Sequence, residues 1–165
     1  MSTTPQPKGT LYKGSCHCGF AKYTIRLDFS TPPPSLHGAN ATKCNCSICH
    51  KLGTLLTDPG DDGSSTFTLS TPAEKDLGMY TFNTGNVKWY FCPKCSITLY
   101  SRVDGVFDGV GEMHTFRVNV LTLDEKEDGS PVEDLKSLKI KYWDFKDTLG
   151  FPEAPLDAPA NGGVW

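Results

Sequence analysis

The chain has 165 residues, 38% of them hydrophobic, 11% aromatic and 21% charged, which suits one packed domain of the usual ~100–150 residues and excludes wholesale disorder. No apolar run approaches the ~18–20 residues that cross a bilayer, and the opening residues lack a signal-peptide core, so the reading is a cytoplasmic protein with no membrane partner. A net charge of −3 supplies no positive field to hold a phosphate backbone, so nucleic acid is not an expected partner.

In chain order, residues 1–10 read as a flexible polar segment, residues 11–149 as a single domain, and residues 150–165 as a Pro/Gly-rich tail on the surface whose terminal Trp165 hints at docking. Strands dominate the domain. Over residues 20–27, Tyr23, Ile25 and Leu27 alternate with Lys22, Thr24 and Arg26, the period-2 mark of a strand with one buried face. Shorter runs rich in aromatic and β-branched residues at 66–69, 79–82, 88–92, 98–103, 115–120 and 138–145 read the same way. The triplet Pro32, Pro33 and Pro34 and the stretch 58–65 break both regular structures and read as loops. Residues 105–112 read as a loop or bulged hairpin, and the charged run 124–128 as a solvated loop. Helix is expected only briefly, after Cys49 and over residues 132–138.

The seven cysteines carry the chemical signal. Their number is odd, so full internal disulfide pairing is impossible, and a chain without an export signal stays in a reducing compartment. They fall into three clusters: Cys16 and Cys18; Cys44, Cys46 and Cys49; Cys92 and Cys95. Cys92 and Cys95 form a Cys-x-x-Cys knuckle, whose tight turn brings both sulfurs to one side. Gly14 and Gly19 would let the Cys16/Cys18 pair bend to converge. Two such pairs complete the tetrahedron that zinc prefers, and a closed four-cysteine site is structural. The remaining triplet supplies three thiolates and leaves a fourth position open, as in a catalytic zinc. An iron–sulfur reading is compatible with the same spacing. His50 and His17, each adjacent to cysteine, are alternative fourth ligands, and a merely buried or redox-reactive triplet is the remaining alternative. His37 and His114 read as structural histidines.

The series Gly14-Ser15-Cys16-His17-Cys18-Gly19, Cys44-Asn45-Cys46-Ser47-Ile48-Cys49-His50-Lys51 and Phe91-Cys92-Pro93-Lys94-Cys95-Ser96-Ile97-Thr98-Leu99 resembles the glutathione-dependent formaldehyde-activating enzyme family, which includes centromere protein V. The resemblance covers all seven cysteines and extends to Trp143-Asp144-Phe145. It implies a mainly β fold, a β-tent of small antiparallel sheets around a structural zinc site. It further implies two zinc ions per chain, one structural on Cys16, Cys18, Cys92 and Cys95 and one catalytic on Cys44, Cys46 and Cys49. The implied activity is that of a carbon–sulfur lyase of the S-(hydroxymethyl)glutathione synthase type, joining or cleaving a glutathione-like thiol and a carbonyl carbon such as formaldehyde. Ser96 stands where the family usually has Gly, Lys88 stands near a usual Arg, and the residues after Lys51 lack the common aromatic.

Coordination deprotonates a thiol that is otherwise neutral below a pKa of roughly 8.5, so a glutathione-like substrate suits the open site. His50 and water are the candidate proton donors, and Lys51 and Lys88 the candidate contacts to substrate carboxylates. Two other readings remain: the same scaffold acting on another metabolite, or a noncatalytic zinc module that binds a protein. A homodimer is an open option.

Overall fold

In the computed structural model, which describes residues 8–61, 63–147 and 151–160, the strands are β1 (Thr10–Ser15), β2 (Lys22–Leu27), β3 (Ala41–Cys44), β4 (Leu56–Thr57), β5 (Phe67–Thr71), β6 (Gly78–Tyr80), β7 (Val87–Phe91), β8 (Thr98–Phe107), β9 (Gly111–Asn119), β10 (Leu123–Lys126) and β11 (Ile140–Trp143). One α-helix, α1 (Ser47–Leu52), joins β3 to β4. The fold is mainly β. Four strands form one sheet in the order β10-β1-β2-β5, and seven form another in the order β11-β3-β4-β9-β8-β7-β6. All pairings between these strands are antiparallel except β3 with β11, which is parallel, so the second sheet is mixed rather than purely antiparallel. No helix among the described residues is long and apolar enough to cross a membrane.

The main core lies between the sheets and is built by alternation. From the four-stranded sheet come Tyr23, Ile25 and Leu27, and from the seven-stranded sheet Tyr100, Phe116 and Val118, all buried. Phe67 links the two, with its ring centroid 5.2 Å from Tyr23, 4.9 Å from Tyr100 and 4.7 Å from Phe116. Each such buried aliphatic or aromatic side chain stabilises the fold by roughly 1.5–3 kcal/mol. Gly14 serves this core in a way its sequence position does not suggest. It lies in the ordinary backbone region, but a Cβ there would sit 2.3 Å from the Tyr23 ring, so it makes room for Tyr23 rather than bending the chain. The Tyr23 phenol in turn shares a 2.7 Å hydrogen bond with the Thr122 hydroxyl.

The elements depart from sequence expectation in several places. Thr10, read as flexible, opens β1, while residues 1–7 and Trp165 lie outside the described residues. The charged run at 124–128 is not a free loop: β10 pairs with β1, and Lys13 meets Glu125 at 2.8 Å. Cross-strand charge pairing lets an all-polar segment act as an edge strand. Residues 105–112 close a long regular hairpin in which pairing continues to Phe107 opposite Gly111, with Gly109 at φ +76° in the turn. The expected helix over 132–138 is a short 3-10 turn at Glu133–Ser137. Residues 151–160 are tied to the body, since Tyr142 and Leu156 exchange backbone hydrogen bonds of 2.9 and 2.8 Å and Pro152 and Pro155 are buried.

Candidate metal centres and adjoining cavity

Cys16 and Cys18 lie in the turn that joins β1 to β2, and Cys92 and Cys95 in the turn that joins β7 to β8. The two turns share a hydrogen-bond pattern. The Cys16 N–H donates to Ala21 O and the Cys92 N–H to Ile97 O, each at 3.0 Å. Each turn also needs one left-handed residue, Gly19 at φ +72° and Ser96 at φ +61°. Ser96 thus takes a conformation that glycine adopts without steric cost and an L-side chain does not.

The four sulfurs of Cys16, Cys18, Cys92 and Cys95 lie within 4.8 Å of one another. Cys18 Sγ is 3.6 Å from both Cys16 Sγ and Cys92 Sγ, too far for a disulfide. Four sulfurs bound tetrahedrally to zinc at ~2.3 Å would stand about 3.8 Å apart, so the donor set and its spacing fit the ion. The group could hold a metal. Because one pair belongs to each sheet, an ion here would clamp the two sheets together.

Cys44 ends β3, Cys46 caps the N-terminus of α1 and Cys49 lies inside it, so a strand-to-helix turn gathers three sulfurs within 4.8 Å. The helix starts at Ser47, not after Cys49 as the sequence suggested, ends at Leu52 and is capped by Gly53, whose left-handed backbone (φ +63°) lets its N–H donate to Cys49 O at 2.9 Å. Buried Asn45 fixes the turn: its Nδ2 donates to Asp144 Oδ1 at 2.6 Å, while its Oδ1 accepts from the Lys146 N–H at 3.0 Å. Hydrogen bonds with Cys44 and Cys49 hold the Cys46 thiol far below the ordinary cysteine range, and the Cys46 contact pushes Cys44 up. This group too could hold a metal.

The three-cysteine group forms part of the wall of a cavity of about 230 Å³. The strand pleat explains its lining. Trp89 on β7, Ser101 on β8 and Arg117 on β9 are opposed across the ladder and project to the face opposite Tyr90, Tyr100 and Phe116. Trp143, Phe145 and Phe151 close one side, with Phe145 and Phe151 edge-to-face at 4.9 Å. Two polar atoms buried in this lining, Thr54 Oγ1 and Trp89 Nε1, have no hydrogen-bond partner.

All seven cysteines are thus brought together in the groups the sequence suggested. His17 and His50 are exposed and belong to neither sulfur group. His50, Lys51 and Lys88 do not line the cavity. His37 stacks edge-on against Trp143, and His114 lies 2.7 Å from Asp104 on the surface. Sequence reasoning did not single out Thr54, Trp89 or Arg117. Only the alternation along β7 and β9 hinted at which of those residues share a face, and nothing in it said what they face.

The family model described as "Glutathione-dependent formaldehyde-activating enzyme" matches residues 11–135. A crystal structure of a Rhodobacter sphaeroides protein, a Northeast Structural Genomics target, superposes with a TM-score of 0.50 at 27% identity, covering 74% of this chain and 94% of that one. Among curated proteins, none matches the chain.

Proposed function

The chain belongs to the glutathione-dependent formaldehyde-activating enzyme family, and from that premise we propose that it is a zinc-dependent carbon–sulfur lyase that joins or cleaves a glutathione-like thiol and a carbonyl carbon. The observation that carries this reading is the placement of Cys44, Cys46 and Cys49 on the wall of a cavity lined largely by aromatic and aliphatic side chains. In this reading those three cysteines hold the catalytic zinc, and Cys16, Cys18, Cys92 and Cys95 hold a structural one.

Held by Cys44, Cys46 and Cys49, a zinc ion would supply a position for an exogenous thiol and would favour the thiolate form of that thiol at neutral pH. The chain's residues do the rest. The turn fastened by Asn45 fixes the three sulfurs relative to β11, and the aromatic side wall shields one side of the thiol and its carbonyl partner from solvent. Holding both partners in one cavity converts a bimolecular encounter into an intramolecular step. In the joining direction the sulfur–carbon bond forms, the carbonyl π-bond opens onto oxygen, and the proton lost by the thiol ends on that oxygen. The reverse direction returns the proton to sulfur. The Thr54 hydroxyl, buried without a partner in the same lining, can donate to the oxygen as its charge develops and accept when the charge subsides. Exposed His50 is outside this geometry.

The test is cobalt substitution. With two cobalt ions bound, glutathione should alter the thiolate-to-metal absorption, and S-methylglutathione, which has no ionisable thiol, should leave it nearly unchanged. Mass spectrometry after incubation with glutathione and a panel of aldehydes should show the adducts. A spectrum unmoved by any small thiol refutes direct coordination.

A further inference from the structure

We propose that the cavity beside Cys44, Cys46 and Cys49 binds the carbon partner of the reaction as an aryl aldehyde or ketone that also carries a carboxylate, with the carboxylate on Arg117 and the ring among the aromatic walls. The proposal rests on the lyase reading for the chemistry, but the binding it describes needs no sulfur.

Size is the first argument. About 230 Å³ holds several molecules of water at ~30 Å³ each, whereas formaldehyde has two non-hydrogen atoms. A lining with six aromatic side chains, Phe82, Trp89, Phe107, Trp143, Phe145 and Phe151, is far more than so small a molecule needs, and it matches the flat faces and edges of an aryl group.

Charge is the second. Arg117 lines the cavity, and no Asp, Glu, Lys or His does among the described residues. Nor does any described acidic side chain pair with Arg117. A guanidinium held among apolar groups favours an anion, and its planar fork fits a carboxylate. Arg117 is the one cationic side chain of the lining and no carboxylate shares it, which leaves its fork open to the carboxylate of a ligand. Glutathione's two carboxylates and ammonium have one charged side chain, Arg117, to meet in this lining, so only its thiol end is placed in the cavity.

The unpartnered donors are the third argument. Trp89 is 4% exposed and Thr54 2% exposed, and their side-chain polar atoms lack hydrogen bonds. Buried donors of this kind are ordinarily satisfied. A bound molecule that presents an oxygen to Trp89 Nε1 and Thr54 Oγ1 would satisfy both.

Calorimetry on the zinc-loaded full chain with 3-phenylpropanoate, 3-phenylpropanamide and propanoate tests this. The acid should bind at least about 10-fold more tightly than the amide, through the charged contact, and than propanoate, through the ring. Arg117→Gln should weaken 3-phenylpropanoate by about 10-fold or more and leave the amide within about 2-fold, which also shows that the variant is folded. No preference of the unaltered protein for the acid over the amide, or equal binding of 3-phenylpropanoate and propanoate, overturns the proposal. Because 3-phenylpropanoate has no sulfur, its failure to bind leaves the thiol site standing, whereas a silent cobalt spectrum removes the thiol site and leaves this one.

Discussion

The four-cysteine group joins two hairpin turns from different sheets, while the three-cysteine group lies in one strand-to-helix turn and lines a cavity. Both are built from short Cys-x-Cys or Cys-x-x-Cys spacings, so local chemistry scarcely separates them. Their surroundings do. An ion at the first group would bridge segments 74 residues apart in sequence, as the Cys18–Cys92 contact shows, and its binding energy would be folding energy. An ion at the second would tie together only six residues, and its neighbours include buried polar atoms without partners. In the proposed reading the same ligand type would serve stability where it closes a long loop and reactivity where it faces a cavity.

The largest expected effect comes from breaking the clamp. Cys92→Ser should cost on the order of 5 kcal/mol, lowering the melting temperature by about 10–20 °C with loss of one equivalent of metal. Thermal melting with metal analysis reads both, and an unchanged melt with full metal content would remove the structural assignment. Cys46→Ser should leave the melt within about 3 °C while lowering the proposed lyase activity by about 100-fold or more. If it unfolds like Cys92→Ser, the division between the groups is wrong. Chelator titration should sharpen the contrast, releasing the cavity-facing ion first. Activity would then disappear while one equivalent of zinc and the melting temperature persist.

A smaller effect tests whether the inter-sheet core, independent of metal, shares the load. Burial raises the Tyr23 pKa in the folded protein, and burial with the Glu74 hydrogen bond raises that of Tyr100. Unfolded tyrosine releases its proton near pH ~10. Folded protein keeps these protons above that pH, so their contribution is complete below pH ~10 and is lost as pH rises beyond it. Tyr23→Phe removes the bond to Thr122 and should cost about 1 kcal/mol at pH 7 while flattening the alkaline loss seen by urea denaturation. The smallest effect is a gain. Ser96→Gly relieves a left-handed serine in the Cys92/Cys95 turn and should stabilise by about 0.5 kcal/mol with metal content unchanged. A loss of stability would show that the Ser96 side chain matters more than its backbone.

What the sequence determined by itself is local. Cysteine spacing identified both sulfur groups, because a Cys-x-x-Cys or Cys-x-Cys turn brings its sulfurs together wherever it is placed, while period-2 alternation located β2 and aromatic and β-branched content located β5 and β7. Short β3 and β4 escaped notice because two to four residues carry too little periodicity, and β10 because its charges read as solvent-facing until Lys13 supplied a partner. The cavity belongs wholly to the tertiary structure. Arg117 faces the cavity because pairing puts Arg117 opposite Ser101 and Ser101 opposite Trp89. A slip of one residue would turn it away from the cavity. Thr54 and Phe151 arrive from a loop and a tail with no pattern of their own, set in place by α1 and by the Tyr142–Leu156 bridge. Ligand spacing is a property of a few consecutive residues and survives in the sequence. The shape and charge of a cavity depend on the register of several strands, and only the packed chain holds that register.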